Sequence, residues 1–409
     1  MTVTSLNVSL DLGGNDVLSV GKLAAQNRRI FFEYDSEFLS VGLPISPFKL
    51  PLKSGVQVPK EMVFDGLFGV FNDSLPDGWG RLLLDRQLLR QGAEPGTLTP
   101  LDRLALIGSQ AMGALRYEPE TKSQQPEIQE TLELDRLATA AEQELAGTPS
   151  DLLEQLIQLS GSSGGARPKI LAYVSPDKTL VVQRKTAPQD YTPWLIKFRA
   201  GIDAPDSGAV EYAYSVMART AVLEVPETYL FPSRTGPGYF GVRRFDRTAS
   251  GSVHMHTASG LLHADHRFSS LDYDNLLKAT MILTKDIQQV ERMYRIAVFN
   301  VLAHNRDDHS KNFSYVMDRS GTWQVSPAYD LTFSSGPGGE HSMLVSGEGR
   351  SPNQDHLLQL ASKVGIQRQT ALNIISVTRS ATSQWRSFAA DAGVRSTTIK
   401  RIQKILTSR

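Results

Sequence analysis

Apolar positions recur at two spacings along this chain, and the change from one to the other marks out its elements. Residues 5–12 alternate apolar and polar side chains, and residues 29–34 (R-I-F-F-E-Y) are rich in aromatic and β-branched types; both predict strands. Residues 80–91 (G-R-L-L-L-D-R-Q-L-L-R-Q) predict a helix after the turn Pro76-Asp77-Gly78. Asp73, Asp77 and Arg81 around that turn read as a capped helix start. Leu134, Leu137, Ala141 and Leu145 share one helical face, and Ser150 is placed to cap a second helix carrying Leu152, Leu153, Leu156 and Ile157. Residues 170–174 and 180–183 flank Pro176-Asp177-Lys178 as a hairpin, and residues 194–199 (W-L-I-K-F-R) form a further strand. Residues 211–223 predict a helix. In residues 286–303, Val290, Met293, Ala297 and Val301 recur at helical spacing. Two short strands follow, 313–317 and 323–325, around the turn Asp318-Arg319-Ser320-Gly321. Residues 355–364, 368–378 and 384–392 carry regular apolar faces and predict helices.

The pattern breaks once, at residues 118–131, which are polar and contain two prolines. They read as a linker. The expected architecture is α+β and two-lobed. A small α+β subdomain spans 1–117, a linker 118–131, a mixed lobe 132–247, and a mainly helical lobe 248–409.

Composition narrows the chemistry. Of 409 residues, 40% are hydrophobic and 21% charged, with a formal net charge of zero. That is an ordinary globular balance, and it gives no general argument for nucleic acid or membrane. Cysteine is absent, which excludes disulfides, thiolate metal sites and cysteine nucleophiles. His254 and His256 alternate on a strand, but without cysteine or a helix-spaced histidine pair zinc is not expected. No 18-residue apolar run occurs and the first residues lack a signal-peptide pattern, so a cytoplasmic protein without a membrane partner is expected. Residues 393–409 carry Arg395, Lys400, Arg401 and Lys404 and no acid. They suit a solvated helix face, or contact with DNA phosphates through a DNA-binding partner.

The densest chemistry lies in residues 304–333. Asp307 is followed five positions later by Asn312, and Asp330 comes after the hairpin. Phosphoryl transfer to a hydroxyl uses this spacing: one carboxylate for the attacking hydroxyl, an amide and a second carboxylate for magnesium. Residues 160–169 (S-G-S-S-G-G-A-R-P-K) combine hydroxyls and glycines as a phosphate cradle does, but fit neither a Walker A loop nor G-x-G-x-x-G. Lys197, between Ile196 and Phe198 on a strand, needs a partner if buried, and Glu211 opens the next helix. Glycine loop, strand lysine, helix glutamate, Asp-x4-Asn and a later Asp form the order of a kinase core. Residues 239–247 (Y-F-G-V-R-R-F-D-R) fit the segment between two lobes. A small-molecule phosphotransferase and a non-catalytic corepressor are the alternative readings.

With these motifs the chain resembles, along essentially its whole length, the HipA family of bacterial serine/threonine kinase toxins from type II toxin–antitoxin modules. S-L-P-D-G-W-G-R looks like the family's N-subdomain, S-G-S-S-G-G-A-R-P-K like its loop, R-R-F-D-R like its hinge, and D-D-H-S-K-N-F with Y-D like its catalytic and metal-binding segments. The resemblance implies ATP and Mg2+ as cofactors. It makes Asp307 the catalytic base, with His309 orienting it or the metal ligands and Lys311 beside it. Asn312 and Asp330 would bind magnesium. Lys197 would hold the phosphates, with Ser162, Ser163, Gly164, Gly165 and Lys169 as the loop that cradles them. Arg243 and Phe245 would offer hinge backbone to adenine. It further implies autophosphorylation on Ser162, with Ser160 and Ser163 as alternatives. It also implies a protein substrate, which in some members is an aminoacyl-tRNA synthetase. The expected partner is a helix-turn-helix antitoxin (HipB-like), with operator DNA met only through that complex.

Overall fold

The structure, a computed structural model, describes residues 3–14, 17–119, 130–162, 164–184, 187–265, 267 and 271–407. The first antiparallel sheet has the order β3-β2-β1-β4, built from β1 (Ser5–Asp11), β2 (Val17–Gln26), β3 (Arg29–Tyr34) and β4 (Leu115–Glu118). Leu6, Val8 and Leu10 are fully buried, as strict alternation requires. The pattern alone did not reveal β2, and the register gives the reason. Val8 pairs with Gly21 and Ser9 with Ser19, so Val20 is an extra residue that breaks the period of two. Helices α1 (Ser36–Val41), α2 (Gly69–Asn72), α3 (Gly78–Arg90) and α4 (Pro100–Ile107) complete this part.

The second sheet has six strands in the order β5-β7-β6-β8-β10-β9. They are β5 (Glu130–Thr131), β6 (Lys169–Val174), β7 (Val181–Gln183), β8 (Thr192–Lys197), β9 (Thr228–Phe231) and β10 (Tyr239–Arg243). Helices α5 (Leu134–Ala146), α6 (Leu153–Ser160) and α7 (Ser207–Thr220) pack with it. Ser150 does not cap α6 itself. Leu152 holds the N-cap position, and Ser150 Oγ accepts from the Leu152 N–H at 3.1 Å, one turn earlier. Helix α7 starts a turn before the expected Glu211. Most of the proposed linker, residues 120–129, lies outside the described residues. Glu118 and Glu130–Thr131, at its ends, are already strand.

A ribbon of β11 (Arg247–Thr248) and β12 (Gly251–Ser252) leads into the helical lobe. There β13 (His254–Thr257), β14 (Ser314–Met317) and β15 (Trp323–Val325) form a small antiparallel sheet. Around it lie α8 (Ala258–Leu262), α9 (Tyr273–Thr284), α10 (Ile287–Leu302), α11 (Gln354–Lys363), α12 (Arg368–Ser383), α13 (Trp385–Asp391) and α14 (Ser396–Thr407). The α+β, two-lobed expectation is met. Arg395, just before α14, and Lys400, Arg401 and Lys404 on it are all exposed, and the Arg401 guanidinium also lies 5.3 Å from the Phe333 ring.

Two hydrophobic cores underlie the lobes. One runs from the first sheet through α7 into the helical lobe. The other fills the six-stranded lobe, and Trp79 and Leu83 of α3 belong to it, beside Trp194, Phe198 and Tyr239. The N-terminal part therefore contributes to both cores.

Close contacts bind that part to the helical lobe. A Cβ on Gly69 would lie 2.0 Å from the Gly260 carbonyl oxygen, so α2 and α8 meet only because both positions are glycine. Asp73 accepts from the Thr257 N–H and Oγ1, each at 2.7 Å, and meets His256 Nδ1 at 2.6 Å. His256 Nε2 faces Ser46 Oγ at 3.0 Å, and His254 Nε2 faces the Ile45 carbonyl at 2.9 Å. His263 Nε2 accepts from the Gly69 N–H at 3.0 Å. These histidines cement the interface.

Burial lowers the pKa of His254 to about 4, and burial together with Lys49 does the same for His263. Both stay neutral in the fold but charge in the unfolded chain near pH 6.5. Their stabilisation is complete above about pH 6.5 and is lost as pH falls toward 4, with a limiting slope of about 2.7 kcal/mol per pH unit for two protons. Denaturant midpoints measured from pH 7 to pH 5 should fall steeply. His254→Gln should remove about one proton from that slope, and an unchanged slope would exclude His254 as a contributor.

Candidate functional site

Strand register sets the base of the site. β6 and β8 pair antiparallel with Lys169 directly opposite Lys197. Two lysine heads thus leave neighbouring strands side by side, which demands nearby acids. Lys197 Nζ donates to Glu211 Oε1 on α7 at 2.6 Å and also to Asp330. Burial works against its ammonium, but Asp330 and Glu211 outweigh burial and hold it well above the ordinary lysine range. Lys169 is buried and donates to the Gly164 carbonyl. Burial, with Lys197 alongside, brings its pKa down to about 8 despite the pull of Asp330. For Asp330 burial acts upward, yet Lys197 and Lys169 prevail and hold it at about 2. Its φ of 53° is a left-handed value that a non-glycine residue adopts only where its surroundings fix it.

The loop bearing Asp307 hangs from α10, whose start Asp286 caps by accepting from the Gln288 N–H at 2.8 Å. Within the doublet Asp307-Asp308 the second residue turns inward. Asp308 is fully buried and accepts from the Tyr273 hydroxyl and the Ser342 N–H at 2.8 Å each, with His341 Nδ1 also at 2.8 Å. Asn300 and Asn305 extend this network. Asp307 therefore points the other way, its side chain 48% exposed, with His309 Nε2 3.9 Å away. Asn312 Nδ2 donates to the Asp307 carbonyl at 2.7 Å, and the Tyr329 hydroxyl donates to the Lys311 carbonyl at 2.7 Å.

The glycine–serine loop lies against the N-terminal part. Ser160 is buried, donates to the Leu156 carbonyl at 2.7 Å and accepts from Trp79 Nε1 at 3.0 Å, the bonding of a structural hydroxyl. Ser162 is buried as well, and its Oγ accepts from the Met112 N–H at 2.7 Å. Ser163 lies outside the described residues. The Gly165 N–H donates to Asp77 Oδ1, and Lys311 Nζ donates to Asp77 Oδ2 at 2.5 Å. Asp77 occupies the N-cap position of α3 but makes no side-chain bond to that helix. The capping reading is therefore corrected for both acids, since Asp73 binds β13 and Asp77 binds the site. Sequence reasoning missed Asp77 because an Asp before a helix is so often a cap. It missed Asp308 because only one member of a doublet was assigned chemistry.

At the hinge, the Arg243 N–H donates to the Glu227 carbonyl at 2.8 Å and the Arg244 N–H to the Pro193 carbonyl at 2.9 Å. These two N–H groups are engaged in the sheet. The Phe245 ring lies 5.6 Å from that of Tyr329, next to Asp330. Arg244 and Arg247 converge on fully buried Asp246, which also accepts from the Gly113 N–H at 2.8 Å. Sequence had placed R-R-F-D-R at a ligand. In the fold its charges mostly tie the hinge to residues 111–113.

Comparison with known proteins places the chain by family and fold. The model of the HipA N-terminal domain matches residues 15–118, and that of the HipA-like C-terminal domain matches residues 161–385. The Sinorhizobium fredii protein Y4dM, whose name puts it forward as a kinase, is 31% identical over 134 residues. That match spans 30% of this chain and about a third, 32%, of the relative's length. One chain of the Shewanella oneidensis MR-1 toxin–antitoxin complex of HipA, HipB and operator DNA superposes with a TM-score of 0.70 at 16% identity. The superposition covers 98% of this chain and 96% of that one. It is a likeness of fold.

Proposed function

The chain belongs to the HipA family, and from that premise we propose that it is an ATP- and Mg2+-dependent protein serine/threonine kinase, the toxin of a HipBA-like module. The observation that carries the reading is the convergence of Lys197, Glu211 and Asp330, with a half-exposed Asp307 in the loop that also bears Asn312. Its antitoxin would be a helix-turn-helix protein through which it meets operator DNA, in the cytoplasm.

The donor set fits a hard cation. Lys197 takes one Asp330 oxygen, and the other has no partner among the described residues. Asn312 spends its amide hydrogen on Asp307 and leaves its carbonyl oxygen. Asp330 and Asn312 would hold Mg2+, which prefers such oxygens and keeps several waters. Bound Mg·ATP supplies the phosphoryl group and the charge that accompanies it. Lys197, fixed by Glu211, answers the phosphate charge. Asp307 accepts the proton of the attacking hydroxyl, and its exposure leaves room for a protein side chain. Asp308, bonded on both oxygens, keeps the loop from turning.

Incubation with labelled ATP and Mg2+, followed by phosphopeptide mapping, tests the reading. Label is expected on Ser162 and not on the structurally engaged Ser160. A phosphate there adds about 1.5 to 2 negative charges. It also cannot keep the buried bond to Met112, so the labelled form should leave its pocket and lose activity. Protein active toward another substrate, with no label on residues 160–163, would refute the loop mechanism alone. Protein that labels nothing would refute the kinase.

A further inference from the structure

The N-terminal part grips the glycine–serine loop at several points, and one of them also reaches the catalytic loop. Met112 N–H holds Ser162, Trp79 N–H donates to the Gly165 carbonyl at 3.1 Å, and Trp79 Nε1 bonds Ser160 Oγ and the Lys169 carbonyl. Asp77 makes the double contact: one oxygen takes the Gly165 N–H, the other the Lys311 ammonium. Its side chain is 22% exposed and that of Lys311 is 14% exposed. Gly78 makes the approach possible. Its φ is +39°, and a Cβ there would lie 2.5 Å from the Ala166 Cα. Pro76-Asp77-Gly78 is thus shaped to lay a carboxylate against the loop. Lys311 lies one residue before Asn312 and has no other side-chain bond among the described residues.

We infer that Asp77 is a positioning residue for phosphoryl transfer, coupling the glycine loop to Lys311 across the two lobes. The inference rests on the kinase reading for its kinetic part only. A lysine on a long flexible stem loses its charge from the reacting region when it is not held. A glycine loop without its anchor samples open states. A single carboxylate restrains both, so neither loop is set independently of the N-terminal part.

Two measurements on the full-length protein decide it. The first needs no nucleotide. In Asp77→Ala, hydrogen exchange at the Gly165 amide should rise at least tenfold, while the amides of β1 and β2 exchange as in wild type. Unchanged exchange at Gly165 would overturn the latch, and faster exchange throughout would mark a merely structural role and overturn it too. The second is a double-mutant cycle in kcat. Asp77→Asn should lower kcat about tenfold or more in the wild-type background. Asparagine keeps an oxygen for the Gly165 N–H and loses only the charge that holds Lys311, so it should have less than a twofold effect in Lys311→Ala. Equal losses in both backgrounds, or wild-type kcat in Asp77→Asn, would overturn the coupling. If wild-type protein transfers no phosphate, the kinase reading falls, and the exchange experiment still decides whether Asp77 pins the loop.

Discussion

Asp307→Asn is expected to slow phosphoryl transfer by about 10²–10⁴-fold, the range over which a positioned acid–base group acts. It should still bind Mg·ATP and unfold as wild type does. The structure makes this separation sharp. The Asp307 side chain is half exposed, with His309 Nε2 3.9 Å away. The bond that shapes the loop runs from Asn312 to the Asp307 backbone carbonyl, which the substitution leaves in place. Steady-state kinetics with a calorimetric titration of nucleotide checks it. Activity within tenfold of wild type would remove Asp307 from the role of base. Asp308 offers a contrast, since its two oxygens hold three elements together and its loss would be a loss of fold.

Lys197→Ala should act on binding and stability together. It removes the cation that faces the nucleotide phosphates, and nucleotide affinity should fall at least tenfold. It also leaves Glu211 in a buried place without its charge partner, and breaking a buried pair from one side costs about 3–5 kcal/mol. Lys197→Met, which keeps the stem, should recover part of the packing and none of the affinity. Denaturant unfolding beside titration calorimetry separates the two effects. Unchanged affinity in both variants would exclude Lys197 as the phosphate contact.

Much of this was legible because it is local. The spacing Asp307 to Asn312 lies within one loop, and a lysine between two apolar strand residues advertises its need for an acid. Glu211 duly meets it. What stayed hidden depends on distant segments meeting. Asp77 and Lys311 are 234 positions apart, and no periodicity encodes their contact. β2 was lost to one bulged residue. The assignment of Trp79 to the core of the other lobe is of the same kind.

The contacts of Ser46, His256 and Asp73 have a further consequence. Hydroxyl to imidazole at 3.0 Å and imidazole to carboxylate at 2.6 Å are the separations of a hydrolase's nucleophile, base and orienting acid. A search of this fold by interatomic distance alone would therefore return an esterase or protease. Ser46 is 1% exposed and His256 is fully buried, and Asp73 spends both oxygens on Thr257 as well. No ester or amide carbonyl can reach such a hydroxyl. In this chain it is access to substrate, rather than spacing, that separates Asp307 from a constellation of equal geometric quality built only to hold two pieces together.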